Sequence, residues 1–217
     1  MRSRGNYDGA VPSETAYIRD LVLPLLETDM PPIVQLGHPA LRQPALPYNG
    51  QLDDGELAAF IALMRRVMHA APGVGLAAPQ LGVPLQLAVL EDHFEDPDLT
   101  DIRERHPLQF FAALNPEYRP ASPEMAEFFE GCLSFNGYQG VVPRFRSVTL
   151  QFTDPAGASQ QRSFEGWQAR IVQHETDHLN GTVYVDKVLT RSLCSNSEYL
   201  RRWASPSIDE AQRELGF

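Results

Sequence analysis

A chain of 217 residues with 43% hydrophobic and 21% charged side chains is long enough to bury a sizeable core without disulfides, and reads as a soluble globular domain. Its formal net charge of -10 argues against a nucleic-acid binder, which needs a clustered basic surface to displace counterions from phosphates. No apolar run approaches the roughly 18 residues that would suggest a membrane span. Cys132 and Cys194, the only cysteines, are too few for a secreted disulfide framework and fit thiols in a reducing cytoplasm.

The first residues, "MRSRGNYDGAVPSETAYIRD", hold arginines and acids without an apolar segment. They resemble neither a signal nor a transit peptide and are expected to form a poorly ordered extension. The spacing of Leu57, Ile61, Met64 and Met68 predicts a helix over residues 53–71, opened by Asp53 with Glu56 behind it and stopped by Pro72. The stretch "GVGLAAPQLGVP" then suits a backbone that passes close to something else, or a tight core crossing. Extended segments follow in "LQLAVLE", "FFAALNPEY" and "SVTLQFTD", the last with Val148, Leu150 and Phe152 alternating with polar residues. A further strand is expected after the turn residues "DPAG". Residues 92–107 are acidic and polar without a period, which predicts a surface loop. From residue 166 to 179 the helical period returns, with Trp167, Ile171, His174, Glu175 and His178 near one face and Asn180 and Gly181 as the stop.

That last helix carries the chemistry. His174 and His178 stand at i and i+4 in "QHETDH", so their imidazoles project from adjacent turns of one face and can share an ion. Glu175 lies beside them, completing an H-E-x-x-H arrangement whose chemistry is metal-assisted hydrolysis with the glutamate as general base. The plainer alternative is a pair of hydrogen-bonded core histidines. Two histidines leave an ion short of the three protein ligands usual at a catalytic site. Cys132 in "EGCLS" is a candidate third, against the alternative of an inert buried thiol, and Cys194 reads as such a thiol.

Taken together, "GVGLAAPQ" (73–80), "EGCLS" (130–134) and "QHETDH" (173–178) resemble, in this order, the three signature motifs of the peptide deformylases. The likeness extends through "PPIVQLGHPALRQPA", "LNPE" and "HLNGTVYVD" and spans roughly residues 31–190. It divides the chain into an N-terminal extension (1–30), a catalytic domain (31–190) and a C-terminal segment (191–217). The resemblance implies an α+β fold with antiparallel sheets around the central metal-binding helix. It implies Cys132, His174 and His178 as metal ligands, Glu175 as acid/base residue, and the Gln80 side-chain amide and Leu133 backbone N–H as oxyanion donors. Gly75, Val74, Gly131 and Ile171 become candidates for holding substrate, with a tight turn or ordinary core packing as the alternatives.

The resemblance also implies ferrous iron as the native ion, while the donor set accommodates zinc, nickel or cobalt as well. Its substrate would be the N-formyl group on the initiator methionine of newly made polypeptides, released as formate in the cytoplasm during transient association with the ribosome. One departure stands out: "FNGYQGVVPR" places Gln139 where many bacterial deformylases carry arginine, which bears on how peptide beyond methionine is held. Two rivals are an H-E-x-x-H endopeptidase with a downstream third ligand, and a silent binding protein whose metal is closed by four protein ligands.

Overall fold

The computed structural model describes residues 13–95 and 102–217. Its first element lies where an extension was expected. Residues Glu14–Leu26 form helix α1, opened by Ser13, whose side chain accepts from the Ala16 N–H. Ile18 and Val22, one turn apart, are buried, so the expectation of poor order fails for residues 14–20. Residues 1–12 lie outside the described part. The apolar i, i+4 pair was present in the sequence, but it straddles the end of the polar first 20 residues.

Helix α2 (Asp54–Ala70) forms where the spacing placed it, and Asp53 and Glu56 make the reciprocal capping box. The strands follow in chain order as β1 (Gly75–Ala77), β2 (Leu87–Asp92), β3 (Leu108–Pro120), β4 (Met125–Cys132), β5 (Phe135–Phe145), β6 (Ser147–Thr153) and β7 (Ser159–Glu165). Helix α3 (Gly166–Leu179) then leads to the short strand β8 (Cys194–Ser195). β2, β3, β6 and β7 realise the four expected extended segments. β4 and β5 had not been assigned.

Five strands make one sheet in the order β1-β2-β3-β6-β7, and β4, β5 and β8 make a second. Every pairing between these strands is antiparallel, so the α+β reading holds. The five-stranded sheet is covered on both faces. Leu87, Val89, Ala112 and Leu114 pack with α1 and α2, whereas Ala88, Leu90, Ala113 and Val148 pack with Ala169, Ile171 and Val172 of α3. Burial on both sides explains why β2 is apolar without alternating. The side of α3 that carries the histidines looks toward the second sheet. Gln173 ties the two together, its amide bonding both the N–H (3.0 Å) and the C=O (2.8 Å) of Phe145 in β5.

Of the loop expected at residues 92–107, Asp92 ends β2 and the other described residues, 93–95 and 102–107, have no regular structure. The loop is anchored rather than merely superficial: Arg105 grips Asp92 through Nε (2.8 Å) and Nη2 (3.0 Å). The chain after residue 190 packs Trp203, Ile208 and Ala211 against Phe129 and Val141. Among the described residues, no helix is long and apolar enough to cross a membrane.

Candidate metal centre and active site

β4 and β5 are joined by a two-residue turn, Leu133 and Ser134. The ladder register shifts just before it: Glu130 pairs with Gly140, but Cys132 pairs with Phe135. A bulge of this kind re-aims the side chains that follow it, and here it delivers Cys132 to α3. The Cys132 Sγ stands 3.2 Å from His178 Nε2, and the imidazole rings of His174 and His178 meet edge to face at 5.1 Å. Ligand atoms of Cys132, His174 and His178 all lie within 4.8 Å of one another.

This donor set fits a metal ion. Bond lengths of about 2.3 Å to sulfur and about 2.0 Å to imidazole put two donors of a tetrahedron roughly 3.6 Å apart, so the observed 3.2 Å requires an opening of only a few tenths of an ångström. The rest of the arrangement points the same way. His174 directs Nδ1 to Glu130 Oε2 at 3.0 Å, which fixes the ring and turns Nε2 toward the cluster. His178 likewise turns Nε2 to the cluster, beside Cys132 Sγ, so the two imidazoles and the thiol present their donor atoms to one point.

Glu130 is itself buried. It accepts from Arg144 Nε (2.6 Å) and Nη2 (2.9 Å) and from Arg170 Nη1 (2.5 Å). Burial works against its ionisation, but the two guanidinium groups overcome it and hold the carboxyl well below the ordinary range. Arg144 continues to Asp177 (2.7 Å), which also accepts from Lys187 (2.7 Å) and Tyr118 (3.3 Å). Sequence reasoning gave this network no role. Glu130 opens "EGCLS" and Arg144 closes "VVPR", but only the fold shows that they face each other across one hairpin.

Glu175 rises from α3 against the glycine loop. A Cβ on Gly75 would stand 2.3 Å from Glu175 Oε1, so the glycine is required by this close approach. Gly75→Ala is expected to displace the carboxylate and lower turnover on the order of 100-fold, since shifts of about 1 Å at a reacting group carry that cost. Metal content should not change, and unaltered kcat would refute the requirement. The Glu175 side chain is buried with Oε2 unpartnered. Burial, opposed by His174 and Arg144, pushes its carboxyl up to about 7.

Gln80 sits on the short helical turn Ala78–Leu81 after β1. Its Oε1 accepts from the Ala77 N–H at 2.8 Å, which leaves Nε2 to face Ser134 Oγ (3.3 Å) and Cys132 Sγ (3.8 Å). The amide donor is thereby aimed at the cysteine side of the cluster.

These groups open on a cavity of about 750 Å³. Gln80, Cys132, Leu133, His174 and Glu175 line it, as do Val74, Gly75, Gly131 and Ile171. His178 does not line it and lies fully buried behind Cys132. A Cβ on Gly131 would meet nothing closer than 3.6 Å, so packing does not demand that glycine, and its bareness widens the cavity instead. Ile171 is shared between the cavity wall and the core beside the sheet. Arg103, Trp167 and Tyr199, which the sequence did not nominate, are also in the wall. Gln139 lines it too.

The sequence model of the polypeptide deformylase family matches residues 30–192. The chain belongs to the polypeptide deformylase family. Among relatives in that family, peptide deformylase 3 of Streptomyces avermitilis is 48% identical over 202 residues, covering 92% of this chain and 90% of its own. Peptide deformylase 1 of Bifidobacterium longum is 48% identical over 187 residues, 86% of each chain. The Met-Ala-Ser-bound class I type b peptide deformylase of Acinetobacter baumannii superposes with a TM-score of 0.66 at 30% identity, over 73% of this chain and 98% of that one. The deformylase motifs read from the sequence thus fall in a fold shared with solved deformylases.

Proposed function

We propose that this family member removes the formyl group from the initiator methionine of newly made polypeptides, with Cys132, His174 and His178 holding one divalent ion and Glu175 moving the protons. The observation that carries this reading is the convergence of a three-donor cluster, a buried carboxylate and an aimed amide on one cavity. When bound, the ion supplies Lewis acidity at the reacting oxygen.

The chain's own residues supply the remainder. Glu175 takes a proton from the attacking water and returns it to the departing nitrogen. A carboxyl whose proton affinity is matched to near-neutral pH suits both directions. Gln80 Nε2 and the Leu133 N–H donate to the oxygen on which negative charge develops, a contribution of about 2.7–4 kcal/mol for one such donor. Gly75 and Gly131 let the peptide backbone approach, and Val74 and Ile171 offer apolar surface to the methionine side chain. Glu130 acts through His174 by fixing its ring. Gln139 offers a neutral hydrogen-bonding group to peptide beyond methionine at the cavity wall.

Ferrous iron is the ion we assign, with zinc, nickel or cobalt able to replace it in this donor set. We place the protein in the cytoplasm, in transient contact with ribosomes and with no sequence-specific hold on nucleic acid, which the net charge of -10 disfavours. Residues 31–190 are taken as the catalytic domain. Cys132→Ala is expected to lower metal affinity by more than about 10-fold, because loss of even an outer partner of a metal ligand costs about 10–100-fold. Metal content by mass spectrometry after dialysis checks this, and full occupancy in the variant would remove Cys132 from the ligand set.

The deciding experiment is formate release from a formyl-Met peptide by protein purified without oxygen and loaded with ferrous iron. Formate from this protein supports the reading. Verified metal with no formate, or cleavage of internal peptide bonds, overturns it.

A further inference from the structure

A second group of ligand-type side chains lies where α2 and β2 end. Glu91 is almost fully buried and shares its oxygens among three groups. Arg65 donates Nε to Oε2 at 2.7 Å and Nη2 to Oε1 at 2.6 Å. His69 Nε2 lies 2.8 Å from Oε2, and His93 Nε2 lies 3.3 Å from Oε1. The two imidazoles lie 5.7 Å apart between ring centres, tilted by 56°. Ligand atoms of His69, Glu91 and His93 all lie within 4.8 Å of one another, and none of the three lines the cavity of the active site.

We propose that His69, Glu91 and His93 form a second site for a divalent transition-metal ion of the zinc class. Two imidazoles and one carboxylate are a donor set that zinc accepts, and imidazole selects such ions over magnesium or calcium. His69 occupies the last turn of the 17-residue helix α2, where unsatisfied carbonyls carry partial negative charge and favour a cation. The side chains of His93 and His69 are 75% and 41% exposed, so an ion reaches them from solvent and completes its coordination with water.

Arg65 does not close the site. A carboxylate offers about four lone-pair positions, and the guanidinium fork occupies one edge of it. Its charge nevertheless opposes a cation, which makes this site weaker than the thiolate-containing one. Occupancy has a structural consequence. The Glu91 N–H donates to the Val74 C=O at 3.0 Å, and α2 runs directly into the cavity-lining residues Ala71 to Val74. An ion clamping the ends of α2 and β2 therefore braces one wall of the substrate cavity.

The test uses tag-free, full-length protein loaded with nickel, cleared of loose metal and titrated with zinc by equilibrium dialysis near neutral pH, with both metals counted by mass spectrometry. Total metal is expected to rise from one to two per chain while nickel is retained. His93→Ala and His69→Gln should each weaken the second equivalent by about 10-fold or more, since loss of an outer partner alone costs that much. Circular dichroism and formate release without zinc should stay as in the parent protein. If the total remains at one, if zinc replaces nickel one for one, or if both variants take the second equivalent with unchanged affinity, the site does not exist. Because the variants read the zinc equivalent directly, this outcome is independent of whether the protein deformylates.

Discussion

Glu175→Ala is expected to lower formate release by about 100- to 10,000-fold, the usual worth of a positioned acid/base group, while leaving the ion bound at Cys132, His174 and His178. The Glu175 Oε2 is buried with no hydrogen-bond partner, so its removal frees no buried group that then needs one. Metal content and turnover measured on the same preparation separate the two roles. Wild-type turnover in the variant would sink the assignment.

Glu175→Gln adds a check that does not depend on activity. Burial raises the carboxyl from its ordinary 4.5 to about 7 in the metal-free protein. For a raised value the native state keeps its proton longer than the unfolded chain, so stability contributed by this group is complete below about pH 4.5 and is lost as pH climbs through about 7. The loss is about 3 kcal/mol. The metal-free Gln variant should lack this fall between acid and neutral pH in denaturant titrations. Parallel pH profiles for the two proteins would show that Glu175 is not raised.

Glu130→Ala should be the most damaging single change to the fold. It leaves Arg170 without a carboxylate, held only by the carbonyls of Val142 and Ala126, and leaves Arg144 with Asp177 alone, both guanidinium groups being almost fully buried. Removing one partner of a buried charge pair costs about 3–5 kcal/mol because the other charge stays behind unpaired. The same substitution frees Nδ1 of His174, so metal affinity should fall as well, by about 10–100-fold. Glu130→Gln keeps the shape and one acceptor, and is expected to restore much of the folding but little of the fixed ring orientation. Urea midpoints and metal content for the pair distinguish the effects. A Glu130→Ala protein as stable as the parent would mean that the arginines find other partners, and the network would lose its proposed role.

The residues that do the chemistry were legible because their chemistry is local. His174, Glu175 and His178 share one helix face by spacing alone, and α3 ends at the Asn180 cap as the sequence indicated. The α2 boundaries were equally local, fixed by a capping box at one end and Pro72 beyond the other. Likewise β6 showed its face through strict alternation.

What the sequence could not reveal depended on partners far along the chain. α1 was hidden because its buried pair straddles the end of the polar first 20 residues, and what holds it is burial of Ile18 and Val22 against α2. β4 and β5 escaped because buried charges interrupt their apolar pattern, and a buried glutamate or arginine is tolerable only when its counterpart is brought across the hairpin. The third ligand is the clearest case. The sequence offered Cys132 as a free thiol or a metal ligand, and resemblance favoured the second. The tertiary fold brings Sγ to 3.2 Å from His178, through a bulge after Glu130 that no local preference encodes. Sequence alone therefore determined the helix that carries the motif and the chemistry its residue types allow. Only the tertiary structure decided which distant groups meet there, because a bulge, a paired carboxylate and a Cβ-free approach at Gly75 are properties of packing between elements.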